Sequence, residues 1–323
     1  MTKRTLIFLS ILLLFSCGEI SSTKSLKLAH GLDISHPVHK GMEYMAERLV
    51  EKSGGKLTIE IYPSQQLGTE RQALELLQIG SLAMTKVSAA VLENFAPNTK
   101  VLSLPYIFRD RAHAYRVQDS EIGKELLRQS EQYWLRGLTY FDAGQRSFYT
   151  KDRMVKTPDD LEGMKIRVME SVTAMNLVRS LGGAPTPISW GELYTALQQG
   201  IVDGAENNPP SFYTSRHYEI CKYYSLNEHT AVPDILVIGT VAWNNLSQQE
   251  QEWLQEAADE ATTFQRKLWQ KSEEEALAAV QEAGVTVLRP DKSQFFEKTK
   301  GILESYRSEE QIYSLIQSIQ SVK

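Results

Sequence analysis

The chain has 323 residues, of which 42% are hydrophobic, which is enough apolar material for one or two cores. Its 35 basic and 40 acidic residues give a net charge of −5, and no block of lysines and arginines provides an electrostatic footprint for nucleic acid. With two cysteines, the chain supports neither a disulfide framework nor a cysteine-based metal site.

The N-terminal segment, residues 1–17, has the pattern of a signal peptide. Two basic residues precede an apolar run from Leu6 to Phe15, which is too short to span a bilayer comfortably. The run ends in Leu14-Phe15-Ser16-Cys17, which resembles a bacterial lipobox with a bulky Phe at a position that is usually small. Cleavage there would make Cys17 a lipidated N-terminus and residues 18–24 a tether, so we expect an extracytoplasmic chain anchored to the cell membrane. The alternative is an ordinary secretory peptide cut nearby.

A βαβαβ rhythm follows the signal peptide and predicts a parallel sheet with covering helices. Its elements are a strand at 26–30, a helix from Pro37, a strand at 57–62, a helix capped by Thr69, and a strand at 82–87.

The later elements suggest a second domain and a helix that connects the two. They are helices at 111–117 and 122–133, a strand at 137–141, a second strand–helix series at 164–199, a buried strand at 232–241, a helix at 247–283, a strand at 285–288 and a helical region at 292–319. The helix from Ser247 is long for a globular protein and could cross two lobes as a spine. A coiled coil is the alternative, which the irregular apolar spacing disfavours.

Arg167 lies at the end of the predicted strand 164–168, just before a helix. Ligands in open α/β sheets bind beyond the carboxyl ends of the strands, and His30, Ser88 and Trp190 also follow predicted strands. The planar guanidinium group of an arginine suits a carboxylate held by two parallel hydrogen bonds. A surface arginine paired with a nearby carboxylate is the alternative.

Other polar residues have two readings each. Lys86 interrupts an apolar strand and requires an anion, which could be a ligand or an internal salt-bridge partner. Asp203-Gly204 is a turn signal, and Glu206-Asn207-Asn208-Pro209 could continue that turn or supply Asn207 to a ligand.

The aromatic and histidine residues are equally open. Trp190 and Tyr213 could be flat walls for a sugar ring or ordinary core aromatics. His30 and His39 could bind a ligand by hydrogen bonds or serve as loop and cap residues, and no metal site is expected around them.

Six stretches occur together in an order that resembles the solute-binding subunits of tripartite ATP-independent periplasmic (TRAP) transporters of the DctP type. They are Tyr62-Pro63-Ser64-Gln65-Gln66-Leu67-Gly68, Leu104-Pro105-Tyr106, Gly144-Gln145-Arg146, Leu161-Glu162-Gly163-Met164-Lys165-Ile166-Arg167-Val168, Glu192-Leu193-Tyr194-Thr195-Ala196-Leu197-Gln198 and Val202-Asp203-Gly204-Ala205-Glu206-Asn207.

The resemblance implies a type II periplasmic-binding-protein-like α/β fold, with two lobes joined by hinge strands and a long spine helix. We expect the first lobe to comprise residues 25–143 with 232–272, and the second to comprise 144–231 with 273–323 and the C-terminal helices. The family's pattern implies that Arg167 pairs with a ligand carboxylate, assisted by Arg146 and Asn207. It also places Glu70, Ser88 and Trp190 along the pocket.

The stretch 205–215, with His36, His39 and the region of Lys86 and Ser88, resembles the branch that binds hexuronates and related sugar acids. Sialic acid binders usually carry an acidic residue where this chain has Ser88. We therefore expect a monomeric protein without a cofactor that captures a sugar acid of the glucuronate or galacturonate type. Its expected partners are the TRAP permease subunits in the membrane, with a membrane-bound sensor as the alternative.

Two other functions remain open from the sequence. The same fold could bind a C4-dicarboxylate or another carboxylic acid, with Lys86 or a histidine as a second cationic contact. An extracytoplasmic enzyme acting on uronates would use Glu206 as an acid and His30 or His39 as a base. We expect a binding protein rather than an enzyme.

Overall fold

The structure is a computed structural model that describes residues 23–323. The predicted signal peptide, Cys17 and most of the predicted tether lie outside the described residues. Within the described part of the chain, no helix combines the length and the apolar composition that crossing a bilayer requires.

Strands and helices alternate through most of the described chain. The strands are β1 (Lys24–Ala29), β2 (Leu57–Tyr62), β3 (Met84–Ser88), β4 (Leu135–Phe141), β5 (Arg146–Thr150), β6 (Lys165–Val168), β7 (Ala184–Pro187), β8 (Gly204–Asn207), β9 (Tyr223–Thr230), β10 (Asp234–Gly239) and β11 (Thr286–Leu288). The α-helices are α1 (Pro37–Ser53), α2 (Glu70–Gln78), α3 (Ala89–Leu92), α4 (Arg111–Asp119), α5 (Glu121–Gln129), α6 (Val172–Ser180), α7 (Leu193–Gln198), α8 (Pro209–Thr214), α9 (Thr240–Asn244), α10 (Gln248–Glu282), α11 (Lys292–Ser305) and α12 (Glu310–Ser321).

The first sheet has the strand order β2-β1-β3-β10-β4. Strand β1 lies parallel to both β2 and β3, as the βαβαβ rhythm predicts. Strand β10 enters from a distant part of the chain and runs antiparallel to β3 and β4, so the sheet is mixed rather than wholly parallel.

The second sheet has the order β11-β9-β5-β8-β6-β7. The prediction of a turn at Asp203-Gly204 is wrong, because Gly204 begins the buried strand β8. This strand pairs antiparallel with β5 and parallel with β6. A Cβ atom at Gly204 would lie 2.4 Å from the carbonyl oxygen of Tyr149, so glycine permits the close approach of the two strands.

Short-range signals begin the helices as predicted. Thr69 and Gln72 form a capping box at the start of α2, and Ser247 and Glu250 form another at the start of α10. Pro37 occupies the first turn of α1, where the missing N–H group costs no intrahelical hydrogen bond.

Helix α10 is the predicted spine. Its 35 residues extend about 50 Å. Leu254, Ala261 and Trp269 are buried in the core beside the first sheet, whereas Val280 is buried in the core beside the second. The helix therefore packs on both lobes and is not a coiled-coil segment.

Helix α12 packs differently from the division suggested by the sequence. That division grouped residues 273–323 with the second lobe, but Ile312, Ile316 and Ile319 of α12 are buried with residues of the first lobe such as Leu104 and Val117. Helix α11, by contrast, contributes Phe295 to a core of the second lobe. The C-terminal segment therefore crosses from one lobe to the other.

Candidate functional site

A cavity of about 660 Å³, counting the open space at its mouth, lies between the two sheets. Both lobes line it, through Gly31, Leu32, Gln65, Thr69, Glu70, Lys86, Ser88, Val91, Ala143, Arg146, Arg167, Met169, Glu170, Ile188, Ser189, Trp190, Asn207, Asn208, Ser211, Val232 and Asp234. Seven of the ten ligand-binding residues predicted from the sequence are among them. These seven are Glu70, Lys86, Ser88, Arg146, Arg167, Trp190 and Asn207.

Strand direction explains why polar residues distant in the sequence meet at this cavity. Ser88 ends β3, and Asp234 begins the antiparallel neighbour β10, so the two residues face each other in register. Asn207 ends β8, and Arg146 begins its antiparallel neighbour β5. The carboxyl ends of some strands and the amino ends of their antiparallel partners thus share one edge.

Arg167 is a buried cation that forms no ion pair among the described residues. The residue is 3% exposed. Its Nε donates a hydrogen bond of 2.8 Å to the carbonyl oxygen of Ile188, while its buried Nη1 has no hydrogen-bond partner in residues 23–323. Burial lowers the pKa of Arg167 from its ordinary value, although an arginine keeps its charge near neutral pH. The guanidinium group is therefore available to an anion in the cavity.

Arg146, in contrast, is already paired. Its Nε and Nη2 donate to both carboxylate oxygens of Glu206, at 2.5 Å and 2.8 Å. Although burial opposes the charge of Glu206, Arg146 lowers the pKa of that carboxyl to about 2. An acid that stays ionised at neutral pH cannot serve as a proton donor, so Glu206 does not fit the role of general acid.

The same arginine fixes the orientation of Asn207. The Oδ1 atom of Asn207 accepts from Nη1 of Arg146 at 2.8 Å, and also from the backbone N and the side-chain Nδ2 of Asn208 at 2.9 Å and 3.0 Å. Three donors on Oδ1 leave the Nδ2 group as the part of the amide that can donate to a ligand.

Lys86 belongs to an internal ionic cluster. Its Nζ lies 2.6 Å from Oε1 of Glu70 and 3.2 Å from Oδ1 of Asp234. Although burial opposes the charge, the carboxylates of Asp234 and Glu70 raise the pKa of Lys86. Burial raises the pKa of Asp234. Because Lys86 already contacts the carboxyl groups of both Glu70 and Asp234, it is not available as a second cation for a dicarboxylate.

Trp190 lies where the two lobes meet, packed against core residues of both. Its ring lies 5.7 Å from the guanidinium carbon of Arg167, measured to the ring centroid. This arrangement places a flat apolar surface beside the free cation.

The structure does not bring the other three predicted residues to the cavity wall. Tyr213 is 40% exposed and stacks on Tyr218 with ring centroids 5.6 Å apart. His30 and His39 are buried and hydrogen-bond each other through Nε2 and Nδ1 at 2.9 Å. Burial lowers the pKa of His30 to about 2, so it is neutral and forms part of the structure behind the wall.

Sequence reasoning missed Gln65, Glu170, Ser211 and Asp234 as lining residues. Gln65 lies inside the stretch Tyr62–Gly68 that resembles the TRAP solute-binding subunits, so this resemblance could have identified it as a lining residue. Asp234 had no local signal, because only the pairing of β10 with β3 brings it to Lys86. Within residues 23–323 no cluster of three or more metal-ligating side chains occurs.

Two α/β lobes, a helix that packs on both and an inter-lobe cavity with one unpaired buried guanidinium define a two-lobed binding protein for an organic anion. The chain belongs to the DctP family, the bacterial extracellular solute-binding proteins of family 7, whose family model matches residues 28–309.

Similar proteins support this assignment. An uncharacterized protein, YiiZ, of Salmonella typhimurium is 36% identical over 99% of this chain and 97% of its own length. A TRAP periplasmic solute-binding protein from a Bradyrhizobium species, in complex with α/β-D-galacturonate, is 38% identical with a TM-score of 0.90, over 92% of this chain and 99% of its own. One from Anaerococcus prevotii, with bound α/β-D-glucuronate, is 33% identical with a TM-score of 0.90, over 93% of this chain and 98% of its own.

The predictions of a two-lobed α/β fold and of a TRAP solute-binding protein rather than an enzyme are confirmed by these similarities. The protein acts outside the cytoplasm, captures a small organic acid and works with a TRAP permease.

Proposed function

We propose that this protein binds a hexuronate or a closely related sugar acid of the glucuronate or galacturonate type. The carboxylate of the ligand pairs with Arg167, and the Nδ2 group of Asn207 donates to the same carboxylate. Arg146 assists by holding Asn207 in place. The observation that carries this proposal is the buried guanidinium of Arg167, which forms no ion pair among the described residues and whose Nη1 has no hydrogen-bond partner there.

The opposite side of the cavity suits hydroxyl groups. Glu70 and Asp234 place carboxyl oxygens around Lys86, and such oxygens accept hydrogen bonds from hydroxyls. Ser88 faces Asp234 in register, and its backbone N donates to Oε2 of Glu70 at 3.2 Å. Lys86 is already paired there and does not offer a free cation to a second carboxylate of the ligand, which favours a sugar acid over a C4-dicarboxylate.

Trp190 provides a wall for the apolar face of the sugar ring. The solute-binding proteins from Bradyrhizobium and Anaerococcus, which hold galacturonate and glucuronate, lend further support because they share the fold over nearly their whole length.

A thermal-shift panel tests the ligand class. D-glucuronate and D-galacturonate, present at about 100 times the dissociation constant, should stabilise the folded state by about 2.7 kcal/mol. With an unfolding entropy of about 2.1 cal/mol/K per residue, this stabilisation raises the Tm of a chain of about 300 residues by roughly 4 °C. Aldonates, sialate and succinate complete the panel. The proposal is refuted if succinate raises Tm more than both uronates, or if no organic acid raises it.

We also propose that the two lobes move as separate bodies about the chain crossings near residues 143, 231, 272 and 306–308, with α12 moving with the first lobe. Helix α12 is buried in the core of that lobe, which supports this division. Closure would bury the ligand and present the closed form to the permease.

The mature chain is proposed to be a monomer anchored by lipid on Cys17. The lipobox-like sequence that ends at Cys17 supports the anchor. Replacing Cys17 with serine should move the protein from the membrane fraction to the soluble fraction. Unchanged membrane association of Cys17→Ser would refute the anchor, and gel filtration with light scattering of the mature domain tests the monomer.

A further inference from the structure

The turn after β2 holds Gln65 in an unusual backbone conformation. Ser64 and Gln65 have φ values of 54° and 59°, in the left-handed region that costs a residue with a side chain about 1–2 kcal/mol. Backbone hydrogen bonds fix the turn to the end of β1, since the N of Gln65 donates to the carbonyl oxygen of His30 at 3.0 Å. Strain of this kind is concentrated at functional sites, and here it directs the side chain of Gln65 to the cavity.

The amide of Gln65 reaches across the gap between the lobes. A Cβ atom on Gly191, which belongs to the segment of the second lobe that carries Trp190, would lie 2.2 Å from Oε1 of Gln65. A Cβ atom on Gly31, in the first lobe, would lie 3.3 Å from Cγ of the same side chain. Neither glycine has a positive φ, and the atoms nearest to a Cβ at position 191 belong to the end of the Gln65 side chain. A methyl group at position 191 would therefore require this amide to move aside.

The donor group of this amide is left without an acceptor. Nε2 of Gln65 is buried and has no hydrogen-bond partner among residues 23–323. A buried donor without an acceptor costs about 1–3 kcal/mol, which an acceptor in the cavity would recover. Gln65 lines the cavity from the first lobe, together with Glu70 and Ser88, whereas Arg167 and Asn207 come from strands of the second.

We propose that Gln65 is a specificity-determining residue that couples recognition of the sugar to closure of the lobes. Its Nε2 donates a hydrogen bond to a hydroxyl or ring oxygen of the ligand, while its Oε1 end fills the space beside Gly191 in the closed form. This inference rests on the proposed sugar-acid function. It adds that the second lobe closes fully only when the Gln65 side chain is held by the ligand.

A double-mutant cycle of Gln65→Ala and Gly191→Ala tests the coupling, with D-glucuronate and D-galacturonate as probes in calorimetric titrations. Loss of the hydrogen bond in Gln65→Ala should weaken binding about 5- to 10-fold. In Gly191→Ala the added methyl group collides with the held amide, so binding should weaken more than 10-fold. In the double variant the collision is removed, and its affinity should match that of Gln65→Ala. Gly301→Ala and Gln66→Ala are the matched controls, because both sites are exposed and a methyl at Gly301 meets no atom within 4 Å.

A third variant, Gln65→Leu, keeps the bulk of the side chain and removes the donor. It should bind the uronates as weakly as Gln65→Ala, and it keeps the inference testable even if Gly191→Ala fails to fold. Strictly additive effects in the cycle, or wild-type affinity in Gln65→Leu, would overturn the inference alone. A wild-type protein that binds neither uronate would overturn the proposed function as well, so the two failures are distinguishable.

Discussion

Two buried arginines line the same cavity, and the structure predicts opposite effects for replacing each with methionine. Arg146 is 5% exposed and is bonded to both carboxylate oxygens of Glu206, whereas Arg167 is 3% exposed and donates one hydrogen bond, to the carbonyl of Ile188. Only Arg167 is therefore available to a ligand, and only Arg146 neutralises a buried charge of the protein.

Arg167→Met should greatly weaken binding without destabilising the ligand-free protein. Loss of one partner of a buried charged pair costs about 2–5 kcal/mol, which is roughly 30- to 5000-fold in affinity for a uronate. The ligand-free Tm should stay unchanged or rise, because the desolvation penalty of an unpaired buried cation, several kcal/mol, offsets the loss of one hydrogen bond of about 1 kcal/mol.

Arg146→Met should destabilise the ligand-free protein. It leaves the carboxylate of Glu206 buried without its main partner, at a cost of about 3–5 kcal/mol. In a protein of about 300 residues, with an unfolding entropy of about 2.1 cal/mol/K per residue, the Tm should fall by roughly 5–8 °C. Scanning calorimetry of the two ligand-free variants and titration calorimetry with D-glucuronate measure both quantities.

The comparison between these variants makes the reasoning refutable. If Arg167→Met lowers the ligand-free Tm as much as Arg146→Met does, Arg167 has a structural partner that the proposed function does not allow. If Arg167→Met binds uronates with wild-type affinity, the carboxylate does not lie on this guanidinium, and the proposed binding mode is wrong.

Two further predictions concern the contact between the lobes and the effect of pH. Glu93 of the first lobe accepts hydrogen bonds from the Oγ of Ser171 and the backbone N of Thr173, at 2.7 Å and 3.0 Å, at the start of helix α6 in the second lobe. Glu93→Gln should therefore weaken the closed form and lower uronate affinity about 5-fold, because hydrogen bonds to a charged acceptor are stronger than those to a neutral one. Wild-type affinity in this variant would exclude a role of Glu93 in closure. Burial lowers the pKa of His36 and of His217 to about 3 in the folded protein. Below pH 6.5 the unfolded chain therefore binds protons at these histidines that the folded protein does not bind. As a result, the free energy of unfolding falls as the pH drops from 6.5 toward 3. The Tm should fall between pH 7.5 and pH 5.5. It should fall less steeply in His36→Asn, in which the asparagine still caps the helix. Equal dependence of Tm on pH in the wild type and the variant would refute the assignment of this effect to His36.

Local sequence signals were sufficient for much of the fold. The caps at Thr69 and Ser247, the proline that starts α1 and the alternation in β1 and β2 act over a few residues, so they can be seen in the sequence. They place the parallel part of the first sheet and the long helix correctly. The position of Arg167 at a strand end was also a local signal, because it needs only the strand and the helix signal that follows.

The tertiary structure decided which charges are free. The partners of Arg146 and Lys86 include residues 60 and 148 positions further along the chain, and no local pattern tells an arginine with a partner from one without. Long-range pairing also decided the structure at Gly204. The local sequence Asp203-Gly204 indicates a turn, but Gly204 pairs with strand β5 on one side and with strand β6 on the other. The electrostatics of a buried site depend on long-range strand pairing. The sequence therefore determined which residues could bind an acid, and only the assembled sheets left Arg167 unpaired to do so.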